Sequence, residues 1–157
     1  LRAKRALAPD EISLYIGIPF CPTRCAYCSF VSQAVEKTFR LMDPYLDVLC
    51  REITDAARMV RETGLRVKSF YMGGGTPTTL SAQQMDRLLT HLNRSFDLTD
   101  CAEYCVEAGR PDTIDREKLQ VLLDHGTNRR TRRRASAGRS TPACSAARTT
   151  SRCTRCR

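Results

Sequence analysis

The sequence predicts an α/β fold of parallel strands joined by helices. Three observations carry that prediction. Short apolar runs rich in β-formers recur at residues 12–18, 67–72 and 102–106. Each is followed by a loop of glycines, cysteines or charged residues, and each loop is followed by apolar residues at helical spacing. Strand–loop–helix repeated three times implies parallel strands with right-handed crossovers.

The elements follow in chain order. The chain opens on Leu1 rather than Met, and residues 1–11 are polar and basic, reading as a linker from something upstream. Ile12 to Ile18 is an apolar run suited to a buried strand. From about Phe39 to Glu62, Leu41, Tyr45, Leu46, Leu49, Ile53, Ala56 and Val60 recur every three or four residues, and Gly64 supplies a C-terminal stop. Val67 to Met72 forms the second strand and ends in Gly73-Gly74-Gly75-Thr76-Pro77. Ser81 with Gln84 three residues later is a capping box, opening a helix through Met85, Leu88, Leu89 and Leu92. Ala102 to Val106 is the third strand, followed by Glu107-Ala108-Gly109-Arg110-Pro111. Asp115 caps a helix carrying Leu119, Leu122 and Leu123, with Gly126 at its end. The residues of unusual chemistry all fall just after strands, on the edge where α/β folds place their sites.

The charge is unevenly distributed. The formal net charge is +9, but residues 129–157 hold ten Arg and no acidic residue or Lys. Residues 1–128 therefore carry 16 basic against 17 acidic side chains, and give no hint of a polyanion partner. From residue 129 onward there is no Val, Ile, Leu, Met, Phe, Tyr or Trp, so this segment cannot offset its ordering entropy and is expected to be disordered. The change falls where a fourth strand is due, at about Thr127. An out-of-frame translation ending in an early stop accounts for it. The competing reading is a genuine basic tail for nucleic acid, but no aromatics are interleaved for base stacking. Cys144, Cys153 and Cys156 lack a fourth metal ligand. No stretch nears the roughly 18 apolar residues of a membrane span, and no signal peptide opens the chain. A cytoplasmic protein is expected, in which nine Cys point to metal or catalysis rather than disulfides.

The chemistry centres on Cys21, Cys25 and Cys28, spaced C-x3-C-x2-C just past the first strand. Three thiolates can hold three irons of a [4Fe–4S] cluster and leave the fourth iron open to a small molecule. A zinc site is the alternative, but zinc motifs pair two halves to reach four ligands, and no second half lies nearby. Cys50, Cys101 and Cys105 are scattered and read as core or incidental. A Gly-Gly-Gly turn lets the backbone approach a ligand closely. A Glu at a strand end is ordinarily a solvated or paired carboxylate.

These three motifs together resemble the radical S-adenosylmethionine (SAM) superfamily, with Tyr27 as the aromatic in its C-x3-C-x-aromatic-C loop. Gly73-Gly74-Gly75-Thr76-Pro77-Thr78 and the run Glu107-Ala108-Gly109-Arg110-Pro111-Asp112-Thr113-Ile114 narrow the resemblance to oxygen-independent coproporphyrinogen III dehydrogenases, nearest the branch of anaerobic Gram-positive bacteria, and their haem-chaperone relatives. The resemblance covers residues 12–128. It implies the N-terminal part of a partial (β/α)6 barrel, about three β-α units long. It implies a [4Fe–4S] cluster on Cys21, Cys25 and Cys28, and SAM positioned by Tyr15, Tyr27, Gly74, Gly75, Thr76 and Glu107. A buried strand tyrosine is the other reading of Tyr15. The implied reaction is reductive SAM cleavage followed by oxidative decarboxylation of coproporphyrinogen III propionates to vinyls. Its partners are the porphyrinogen (or haem, for a chaperone) and an electron donor such as flavodoxin or ferredoxin, with no membrane and no nucleic acid. The family's further polar SAM contacts, due after Asn128, are not recognisable here. The chain alone is expected to be marginally folded and without turnover.

Overall fold

The computed structural model describes residues 7–23, 25–29, 33–34 and 39–127. The Arg-rich segment, and the disorder and frame shift expected of it, lie outside the described residues, as do residues 1–6.

Strands β1 (Glu11–Ile18), β4 (Arg66–Gly74) and β5 (Glu103–Val106) form one sheet in the order β1-β4-β5. Both pairings are parallel. The crossovers are helices α1 (Met42–Glu62) and α2 (Ala82–Ser95), and α3 (Arg116–Asp124) follows β5. This is the predicted alternation of three β-α units. A two-residue parallel ladder adds β2 (Phe20–Cys21) and β3 (Gln33–Ala34), which the sequence did not announce.

The helices close as their sequences require. Ser81 Oγ accepts from the Gln84 amide while the Gln84 side chain accepts from the Ser81 amide, which satisfies two otherwise orphaned donors. Asp115 accepts from Lys118 N at 2.8 Å. After α1, Gly64 takes φ +68°. Its amide bonds Arg61 O, and the Leu65 amide reaches back to Val60 O, a Schellman closure that a left-handed glycine permits.

One face of the sheet carries the core. Ile16 and Ile18 of β1 and Phe70 and Met72 of β4 are buried against Leu46 and Ile53 of α1 and Met85, Leu88, Leu89 and Leu92 of α2. Each such side chain contributes about 1.5–3 kcal/mol when removed from water. A bulge between Ile12 and Ser13 sets the register that follows, pairing Ser13 with Ser69, Tyr15 with Tyr71 and Gly17 with Gly73. These residues stand on the opposite face, where Ser69 Oγ donates to Ser13 Oγ at 2.7 Å.

Strand β4 runs two residues beyond the predicted end, into Gly73 and Gly74. Parallel pairing to Gly17 and Ile18 carries it on. The amides of Gly75 and Thr76 then donate to Ile18 O and Phe20 O, each at 2.8 Å. The glycine segment is thus hydrogen-bonded to the start of the cysteine loop.

Candidate functional site

The C-terminal ends of all three strands meet at one pocket of about 250 Å³. Its lining comes from three separate segments. The loop after β1 gives Cys21, Cys25 and Cys28; the end of β4 gives Gly74, Gly75, Thr76 and Pro77; the end of β5 gives Glu107, Gly109 and Arg110. Seven of the nine predicted site residues are therefore brought together. Tyr15 and Tyr27 do not line the pocket. Tyr27 is 86% exposed, and Tyr15 is 59% exposed on the open sheet face. That exposure overturns the reading of Tyr15 as a buried strand residue. Its ring stacks on Tyr71, with centroids 6.0 Å apart.

The glycines are required by close approach. A Cβ on Gly75 would lie 2.7 Å from Phe20 O and 2.9 Å from Cys21 Sγ. Gly74 has φ +110°, and a Cβ there would meet Ile18 N and O at 2.9 Å. At Gly73 a Cβ would meet the Tyr71 ring at 2.7 Å, Glu107 Oε2 at 2.9 Å and Tyr15 Oη at 3.4 Å. The three side chains of the open face thus converge on the space that Gly73 leaves. The Glu107 amide is fixed by a bond to Met72 O at 2.9 Å. Burial, followed by a hydrogen bond to Glu107, pushes the Tyr71 phenol up to about 12.

Cys21 is buried, and the Thr76 hydroxyl donates to its sulfur at 3.5 Å. The Cys28 amide bonds Cys25 O, turning the loop back on itself. Among the described residues no three Cys, His, Asp or Glu side chains converge on a point that would hold a single metal ion. The thiols of an iron–sulfur cubane bind different irons and need not converge. Three soft thiols round a glycine-lined recess, one of them hydrogen-bonded at sulfur, fit that group by donor chemistry and by space.

Cys50, Cys101 and Cys105 lie outside the pocket lining, as expected. Cys101 is fully buried, and burial pushes the thiols of Cys50 and Cys105 upward. The sequence reading missed Arg110. Its Nη1 donates to Thr23 Oγ1 at 3.0 Å and Thr23 O at 3.3 Å, while Nε and Nη2 form a fork on Asp112.

Residues 15–131 match the Radical SAM superfamily. The chain belongs to that superfamily. It is 45% identical over 121 residues to the oxygen-independent coproporphyrinogen-III oxidase-like protein HemZ of Bacillus subtilis, covering 76% of this chain and 24% of that one. It is 37% identical over 118 residues to heme chaperone HemW of the same organism, covering 74% and 30%. Among solved structures it is similar to coproporphyrinogen III oxidase (HemN) from Escherichia coli, a radical SAM enzyme. The TM-score is 0.63 at 34% identity, over 74% of this chain and 26% of that one. The chain thus spans about a quarter to a third of the length of these relatives. The superfamily implies a [4Fe–4S] cluster and SAM. No helix among the described residues is long and apolar enough to cross a membrane.

Proposed function

We propose that residues 12–128 are the cluster- and SAM-binding part of an oxygen-independent coproporphyrinogen III dehydrogenase. The observation that carries this reading is the convergence of Cys21, Cys25, Cys28, Gly74, Gly75, Thr76 and Glu107 on one pocket. The similarity to a coproporphyrinogen oxidase-like protein supports the choice of substrate.

Cys21, Cys25 and Cys28 would hold three irons of the cluster as thiolates. Thr76, donating to the Cys21 sulfur, would draw charge off that ligand, as hydrogen bonds to cluster sulfurs do. Gly74 and Gly75 would let backbone lie against the methionine part of SAM. The Glu107 carboxylate would accept hydrogen bonds from its ammonium, a charge-assisted pairing. Tyr15 and Tyr27 complete the SAM set in this proposal; the Tyr15 hydroxyl already points toward Gly73. When bound, cluster and SAM supply the one-electron chemistry that takes hydrogen from a coproporphyrinogen III propionate, and loss of carbon dioxide and an electron then leaves a vinyl group. The electron that reduces the cluster would come from a donor such as flavodoxin or ferredoxin, and the electron lost on decarboxylation would pass to a separate one-electron acceptor. No described residue is assigned to the porphyrinogen. A location in the cytoplasm, and a separate out-of-frame tail from residue 129, belong to the same proposal; resequencing across codon 128 tests the latter.

Anaerobic reconstitution with iron and sulfide is the direct test. A [4Fe–4S] absorption and EPR spectrum, lost on Cys21→Ala, Cys25→Ala or Cys28→Ala, is expected. SAM cleavage is expected not to be sustained by this chain alone, and continuous release of 5′-deoxyadenosine would refute that expectation. A haem chaperone on the same scaffold is the second reading, favoured by the 37% identity to such a protein. Haem titration of the longer protein separates the two.

A further inference from the structure

Arg110 lines the cysteine pocket yet has no part in the scheme above. Its side chain spans two segments 87 residues apart. On one side Nη1 is bonded to both oxygens of Thr23, which stands between Cys21 and Cys25. On the other, Asp112 grips Nε and Nη2 through both carboxylate oxygens, each at 3.1 Å. A planar guanidinium can make both sets of bonds at once, whereas a lysine ammonium cannot reproduce the fork. The Thr113 amide and hydroxyl both bond Arg110 O, at 3.2 and 2.9 Å, which fixes the backbone from which the side chain springs.

We propose that Arg110 is a positioning residue that straps the cysteine loop to the end of β5 and places a fixed positive charge beside the cluster thiolates. This rests on the reading of the pocket as the cluster site. The hydrogen bonds from Arg110 to Thr23 tie the middle of the cysteine loop to the segment after β5. Asp112 offsets part of that charge, but the guanidinium is the member of the pair that lines the pocket. A cation at that place favours the more negative, reduced form of a bound cluster, so it raises the reduction potential.

The test compares the full chain with Arg110→Gln, Arg110→Lys and Thr23→Val. In the metal-free chain, hydrogen–deuterium exchange across residues 21–29 is expected to speed up severalfold in Arg110→Gln. Exchange in α2 should stay unchanged, which shows that the fold is intact. After reconstitution with iron and sulfide, chelator-driven loss of the cluster should be roughly tenfold faster, in the range found for partners of metal ligands. The midpoint potential should fall in Arg110→Gln. Arg110→Lys should restore the potential but not the exchange protection. Thr23→Val, which removes the Oγ1 acceptor but keeps the guanidinium, should likewise leave the potential in place while loosening the loop. Parent-like exchange and parent-like potential in Arg110→Gln overturn the proposal. If the parent takes up no cluster, the reading of the pocket falls, while the exchange data still decide the strap.

Discussion

Replacing Gly75 by Ala probes the site with a single methyl group. The added carbon would sit 2.7 Å from Phe20 O, 2.9 Å from Cys21 Sγ and 3.1 Å from Ile18 O. Comfortable separations are about 3.5–4 Å, so the backbone of β4 must retreat by roughly 0.5–1 Å. Two of the three obstacles are carbonyls that accept the Gly75 and Thr76 amides at 2.8 Å. Retreat therefore stretches both bonds, and neither carbonyl can swing aside as a flexible side chain would. The expected destabilisation is about 1–3 kcal/mol, typical of overpacking. Gly75 does not take a positive φ, so the cost is steric rather than conformational. Gly109→Ala is the matched control, because nothing lies within 4 Å of a Cβ there. Urea unfolding measures the stability, and iron and sulfide per reconstituted chain measure the site. Gly75→Ala should lose both stability and cluster content, while Gly109→Ala should stay within about 0.5 kcal/mol of the parent. Equal urea midpoints and equal cluster loading for the two variants would refute the claim that close approach at Gly75 shapes the thiol pocket.

Cys50→Ala should leave cluster content at the parent level, since Cys50 lies outside the pocket, whereas Cys25→Ala should abolish the EPR signal. Tyr104 Oη is buried with no partner among the described residues; Tyr104→Phe should be neutral or stabilising by up to about 1 kcal/mol in thermal unfolding, because an unpaired buried hydroxyl is removed. The folded state holds the Tyr71 phenol at about 12 against an ordinary 10.0, through burial first and then the bond to Glu107. The associated stability is fully present below about pH 10 and is lost as pH rises through 12. Urea midpoints measured between pH 9 and 12 should therefore fall less steeply in Tyr71→Phe than in the parent.

What was legible in the sequence is what local interactions determine. The capping box at Ser81, the cap at Asp115 and the stops at Gly64 and Gly126 each involve residues within a few positions of one another. Strand existence was legible for the same reason. The open-face position of Tyr15 was not, because alternation assigns residues to two faces without saying which one the helices cover. That choice follows from the register of β1 against β4, which the bulge at Ile12 and Ser13 resets. Nor could the sequence show that Gly73 and Gly74 finish a strand. Glycines read as a turn until a neighbour supplies a ladder. The clasp of Arg110 on Thr23 spans 87 residues and has no local trace. The site motifs were readable as chemistry, while the strap that holds them together was visible only in three dimensions.

The bonds joining the glycine segment to the cysteine loop also set a schedule. Cys28, the last of the three, leaves the ribosome 48 residues before Thr76. At 5–20 residues per second, that is roughly 2 to 10 s during which three thiols exist without the strand that shapes their recess. Arg110 arrives later still. Loading during synthesis would thus meet an unformed loop, and oxygen reaching it in that interval would find a Cys21 thiol that neither packs beside Gly75 nor accepts from Thr76.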